Sequence, residues 1–242
     1  MDKAVSARVI SRSPCEGVVL PKGKPKEAVI YNEEQMKQLL QAVKGTTLEL
    51  VIDMELCLGL RRGELAGLRW CDIDWENSQI HIVQNRVLAR NKVIIRQPKT
   101  ESGFRTLDAP EQLMKKLKQH KADCERRRIE YGNAYIVSDY VIVHPNGKPI
   151  PPGYLSRMFT DLQEKVGLPP CRFHDLRHLC ASIMIMQKVD MKVAQKRLGH
   201  KNITTTMNIY AHAMRSSEEK AAQTIGDFVY NGLSAGTASD SQ

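Results

Sequence analysis

The sequence predicts a mainly α-helical domain carrying a small antiparallel β-sheet, an α+β arrangement. Two observations carry that prediction. Apolar residues recur at helical spacing along most of the chain, and these runs are bounded by capping residues and by glycine or proline stops. Alternation at the strand period is concentrated between positions 79 and 107. The 242 residues show no internal repeat and fit one or two domains, and 42% apolar content is ample for a packed core.

Residues 2–26 hold three prolines, several basic side chains and little periodicity, so they read as a linker, with residues 27–230 as the folded domain and 231–242 as a disordered tail. Tyr31 or Asn32 starts a helix through Gln41, with Glu33 and Glu34 in its first turn. A second helix runs from Thr47 to Leu58 and ends at Gly59, which leaves Arg61 at a helix C-terminus or in the adjoining turn. Gly63-Glu64 opens a short helix through Leu68. Gln79 to Leu88 and Lys92 to Gln97 pair as a hairpin about Ala89-Arg90-Asn91, and Arg105-Thr106-Leu107 adds a short strand with Lys99 in the corner between. Pro110 suits the first position of a long charged helix to Tyr131. Its Arg126-Arg127-Arg128 run reads as solvated surface. A brief strand from Tyr140 to His144 leads through the Asn146-Gly147 turn to a helix over Pro152 to Val166, closed by Pro169-Pro170. His174 to Gln187, Met191 to Leu198, Ile203 to Tyr210 and Ser217 to Tyr230 read as four more helices.

Thirty-six basic against 27 acidic side chains give a net charge of +9, and the pI near 9.3 suits a polyanionic partner. Aromatics make up only 5% of the chain, which argues against stacking on unpaired bases and favours a duplex held by its backbone. No run approaches the about 18 apolar residues of a spanning helix, and the N-terminus lacks a secretory apolar core, so a cytoplasmic protein without a membrane partner is expected. Cys15, Cys57, Cys71, Cys124, Cys171 and Cys180 form no Cys-x-x-Cys pair and no matching histidine spacing, so neither zinc nor disulfides are expected.

The chemistry lies in a set of polar residues spread along the chain. Tyr210 follows His200 by ten positions, and His174-Asp175-Leu176-Arg177 stands upstream. Arg61 lies in Gly59-Leu60-Arg61-Arg62-Gly63-Glu64, and Lys99 in Pro98-Lys99-Thr100. Together they offer two guanidiniums, two imidazoles, an ammonium and a phenol, the parts for attacking a phosphodiester without metal. Arginine forks hold a phosphorane's extra negative charge at any working pH. A phenol, with an ordinary pKa near 10, needs a base and neighbouring cations to act as nucleophile. Histidine accepts that proton or donates to a phosphate oxygen, and a lysine protonates the leaving 5′ alkoxide. His174 and Arg177, three apart, share one helix face. His178 reads as a buried histidine bonded to backbone, and Arg62, Arg69 and Arg105 read as structural ion pairs or peripheral phosphate contacts.

Gly59 to Trp70, Pro98 to Leu107, His174 to Ser182 and Leu198 to His212 resemble the four signatures of tyrosine recombinases, the phage-integrase branch best. The resemblance covers Glu27 to Tyr230 and implies the DNA breaking-rejoining fold of that family. It implies Arg61, Lys99, His174, Arg177, His200 and Tyr210 as catalytic residues, with Glu64 steadying the neighbouring arginine or histidine. It further implies cleavage and rejoining of double-stranded DNA through a 3′-phosphotyrosyl link, with no cofactor consumed. The partners it implies are two duplexes in a homotetramer, a monomer in isolation, and an excisionase or host DNA-bending protein. Family members carry a helical core-binding domain ahead of the catalytic one, so the chain is expected to be a catalytic fragment with a connector at its N-terminus. Two other activities fit the same residues. A type IB topoisomerase shares the catalytic parts, and a DNA-binding regulator would retain them as a vestige; the match to all four integrase signatures opposes the first and the complete set of six side chains the second.

Overall fold

The computed structural model describes residues 2–19, 29–90, 92–97, 103–200, 207, 222–226 and 229–230. After a short helix, α1 (Asp2–Ser6), the domain begins with α2 (Glu33–Val43). Asn32 caps α2: its side chain accepts from the Gln35 N–H at 2.9 Å, and the Gln35 side chain accepts from the Asn32 N–H at 3.0 Å. Thr46 caps α3 (Thr47–Leu58), the spine of the core. Val51, Ile52, Met54 and Leu58 have no exposed surface, and each fully buried side chain of this kind contributes about 1.5–3 kcal/mol. Gly59 stops α3 in the left-handed region, at φ 59°. A Cβ there would sit 2.6 Å from Leu198 Cδ2, so the stop is also a close approach to a later helix.

α4 (Arg62–Gly67) follows, then a single 3₁₀ turn at Trp70–Asp72. A three-stranded antiparallel sheet has the order β1 (Ile73–Asp74), β2 (Gln79–Ile82), β5 (Arg105–Asp108), with Ile80 opposite Leu107. A separate hairpin pairs β3 (Asn85–Ala89) with β4 (Lys92–Arg96), Ala89 facing Lys92. The expected continuous strand from Gln79 to Leu88 is therefore two strands in two sheets. The chain leaves the first sheet because β3 follows α4. Gln84 donates to the Gly67 carbonyl at 2.7 Å, and the buried Arg86 donates to the Ala66 carbonyl at 2.9 Å while lying 4.4 Å from the Tyr140 ring centroid. Gly63 permits that approach, since a Cβ there would fall 1.8 Å from Asn85 Oδ1 and 2.6 Å from the Arg86 carbonyl.

α5 (Glu111–Tyr131), α6 (Pro152–Val166), α7 (Asp175–Met186) and α8 (Met191–Leu198) complete the domain, with α3 packed on α7 and α8 against β5. Several boundaries differ from expectation. α1 forms within the stretch read as linker, and α2 runs on to Val43. Pro110 has extended ψ and caps α5 from outside. His174 likewise precedes α7, although its backbone is already helical. Residues 140–144 form two isolated bridges, Arg69 with Tyr140 and Val143 with Pro149, rather than a strand. Pro145 and Pro149, lacking N–H groups, prevent a ladder there. In the arginine run, Arg126 and Arg128 pair with Asp123 and Glu125 at the surface while Arg127 turns inward to Cys124. The predicted helices over 203–210 and 217–230 lie outside the described residues, apart from a helical stretch at 222–226.

Candidate active site

The expected site residues gather about the C-terminal end of α8. A helix ends with carbonyls that have no partner in the helix and with the negative pole of its dipole. Gly199, at φ 63°, turns the chain out of α8, and three successive carbonyls there each accept from an arginine. Arg105 Nε donates to the Arg197 carbonyl at 2.8 Å, Arg177 Nη2 to that of Leu198, and Arg61 Nη2 to that of Gly199 at 2.5 Å. Three guanidiniums from β5, α7 and the start of α4 thereby converge within three residues of backbone. The next residue, His200, is held from both sides: its N–H donates to the Gln195 carbonyl, and Gln195 Nε2 donates to the His200 carbonyl, both at 3.1 Å.

Glu64 locks two of these arginines together. Its buried carboxylate accepts from Arg61 Nη1 at 2.6 Å and the Arg61 N–H at 2.9 Å, and from Arg105 Nη1 and Nη2 at 3.1 and 2.8 Å. Desolvation alone would raise its pKa, but the hydrogen bonds and charge of Arg105, joined by Arg61, outweigh it and hold the carboxyl at about 2. Arg177 is almost wholly buried, at 2% exposure, and its other fork nitrogen donates to the Gly59 carbonyl at 2.5 Å. Burial, then the charge of Arg61, lower it to about 10, so it remains a cation at neutral pH.

The imidazoles sit beside this cationic group and are held neutral first by burial and then by neighbouring charge. His200 is pushed down to about 4 by desolvation and by Arg177 and Arg61. His174 keeps one side open to solvent, yet it too is lowered to about 4, by desolvation and then by His178 and Arg177. The His178 ring meets that of His174 edge-on at 5.0 Å, in place of the backbone bond expected for it. A cleft of about 760 Å³ opens alongside, lined in part by His81, Arg105, Lys192, Lys196 and His200.

The structure thus brings together Arg61, Glu64, His174, Arg177 and His200; Lys99 and Tyr210 lie outside the described residues. Arg105 and Arg69 form ion pairs as expected, with Glu64 and Asp72, while Arg62 bonds to Ser156. Sequence reasoning missed that Arg105 belongs to the cluster. It also missed Glu55, an acid on the apolar stripe Val51, Met54, Glu55, Leu58 of α3, a spacing legible in the sequence. Among the described residues, the cysteines are free and no group of histidine, cysteine and acidic side chains is arranged to hold a metal.

The chain is a member of the phage integrase family, which it matches over residues 30–216. It is 30% identical to a tyrosine recombinase XerC-like protein of Caldanaerobacter subterraneus subsp. tengcongensis, over 93% of this chain and 62% of that protein. With the ICEBs1 integrase of Bacillus subtilis it shares 25% identity, over 94% of this chain and 62% of the relative. The chain therefore spans less than two thirds of the length of these relatives. Among solved structures, the Tn1549 transposon integrase in complex with transposon right end DNA has the same fold, with a TM-score of 0.67 at 23% identity over 87% of this chain and 70% of that one.

Proposed function

We propose that this chain cuts and rejoins duplex DNA at specific sites through a 3′-phosphotyrosyl link to Tyr210, with the chemistry residing in residues 27–230. The observation that carries this reading is the convergence of Arg61 and Arg177 on the end of α8, beside the neutral His174 and His200. Two arginines, one locked by Glu64 and one buried, are pre-organised counter-charges for a phosphorane, and fixed cations in a partly dry site lose little to reorganisation as charge develops. The Tyr210 phenol attacks the scissile phosphorus and passes its proton to a neutral imidazole. The bond to the 5′ oxygen breaks, and Lys99 protonates that leaving oxygen. The ester to Tyr210 keeps the bond energy, so a 5′-hydroxyl from a partner duplex reseals the strand, displacing the phenol, without a nucleotide cofactor. Guanidiniums and imidazoles supply what a metal would, so adduct formation should persist in excess chelator.

The Tn1549 integrase structure contains transposon end DNA, which supports duplex DNA as the substrate here. Four protomers on two duplexes follow as the working assembly, with a monomer in its absence. The test uses nicked suicide duplexes drawn from the DNA flanking the gene. A covalent protein–DNA adduct that vanishes in Tyr210→Phe is expected, whereas binding without adduct in the unaltered chain would identify a DNA-binding regulator instead.

A further inference from the structure

Beneath the arginine cluster lies an acid that the chemistry above does not use. Glu55 sits on the buried stripe of α3 with no exposed surface, and neither carboxyl oxygen has a hydrogen-bond partner. It stands one turn before Gly59: the Gly59 N–H donates to the Glu55 carbonyl at 2.8 Å, and the Gly59 carbonyl in turn receives Arg177. The charges felt by its carboxyl are those of Arg177 from α7, Glu64 from α4 and Arg105 from β5, and the thiol of Cys180 is also nearby.

Packing does not account for an acid at this position. A leucine would complete the apolar stripe, whereas a carboxylate stripped of water and of donors is costly. Two facts make the placement informative. Among the described residues, Arg177 bonds through its fork to backbone carbonyls and to no carboxylate. Glu55 is near enough to neutralise it by charge if it ionises. Burial raises Glu55 well above the ordinary carboxylate range, Arg177 pulls it partly back, and Glu64 pushes it up again.

We propose that Glu55 is a positioning residue that acts through Arg177: as a neutral acid it leaves the guanidinium its full charge for the scissile phosphate, and duplex binding is linked to the proton that Glu55 holds. This rests on the recombinase reading, in which a phosphate enters the arginine cluster. The sign follows from linkage. A bound phosphate offsets Arg177 and raises Glu55 further, so binding takes up a proton wherever free Glu55 is partly ionised. Affinity then falls as pH rises through that range, by up to about tenfold per pH unit for one proton. Of the neighbouring groups, Glu64 is lowered to about 2, His174 and His200 to about 4, and Arg177 to about 10, and the Glu55 variants separate their titration from that of Glu55. His178 is lowered in the direction of the other two histidines, Cys57 is raised, and Cys180 is raised to about 12.

Two measurements test the assignment. In the free protein at neutral pH, infrared spectroscopy should show a buried carboxylic-acid C=O band that Glu55→Gln removes; an unchanged spectrum overturns the proposal. In a Tyr210→Phe background, duplex affinity should decline with rising pH, and calorimetry in buffers of different ionisation heat should detect proton uptake. Both effects should disappear in Glu55→Gln and in the apolar Glu55→Met, each checked for cooperative melting. Persistence of the pH slope and of the uptake in either folded variant overturns it. Failure of the recombinase reading would register separately, as absence of the Tyr210 adduct, while the infrared band does not depend on DNA.

Discussion

Arg61 donates to Glu64 and to the Gly199 carbonyl at once, a geometry that a lysine ammonium cannot copy. Arg61→Lys is accordingly expected to lower adduct formation by about 10²–10³-fold, the range seen when one transition-state donor is lost, while duplex binding measured by gel shift changes little. Glu64 makes a prediction about acid. Its carboxyl is depressed from the usual 4.5 to about 2, so the stability it contributes is fully present above the unfolded value and is lost as pH falls towards 2. One pKa unit is about 1.4 kcal/mol, and the whole contribution is on the order of 3 kcal/mol. Glu64→Gln should remove that part of the acid-unfolding curve. The histidines act in the same direction over a higher range. With folded values of about 4 against an ordinary 6.5, they are neutral in the fold, and stability falls as pH drops from 6.5 towards 4. Replacing His200 by Asn should flatten the melting temperature across that interval.

At the scale of elements, the contact between α4 and β3 turns on the missing side chain of Gly63. Gly63→Ala would press a methyl group onto Asn85 and the Arg86 backbone, and overpacking of this kind costs about 1–3 kcal/mol, readable by urea titration. Arg61 moves with α4, so adduct formation should decline with it. The elements themselves were largely legible: the helix start at Asn32, the Gly59 stop, and the turn between Ala89 and Lys92 follow from local chemistry that the fold keeps. The break between β2 and β3 was not. The alternation from Gln79 to Leu88 is continuous in sequence, and only the buried Arg86, reaching Ala66 and Ile150, shows why the strand changes partners. The same limit applied to the site. His174, Arg177, Arg61 and His200 were found by motif, whereas Arg105 takes its meaning from Glu64, 41 residues away, and Glu55 from the charge of Arg177 on α7. Spacing along a chain carries no record of such pairings.

For the whole molecule, a net charge of +9 sets the terms of the proposed encounter with DNA. Phosphate contacts release counterions, so affinity for a mixed-sequence duplex should fall by about 10³–10⁵-fold between 50 and 200 mM salt if six to ten phosphates are engaged. A flat salt response in fluorescence anisotropy would contradict recognition through the backbone. The three carbonyls gripped at the exit of α8 also have a mechanical meaning. They fix the backbone at Gly199, and Tyr210 stands eleven residues further along the sequence. Eleven residues of any polypeptide span at most about 40 Å. Chain length alone thus sets an upper bound on the distance between the proposed nucleophile and the two arginines proposed to receive the phosphate.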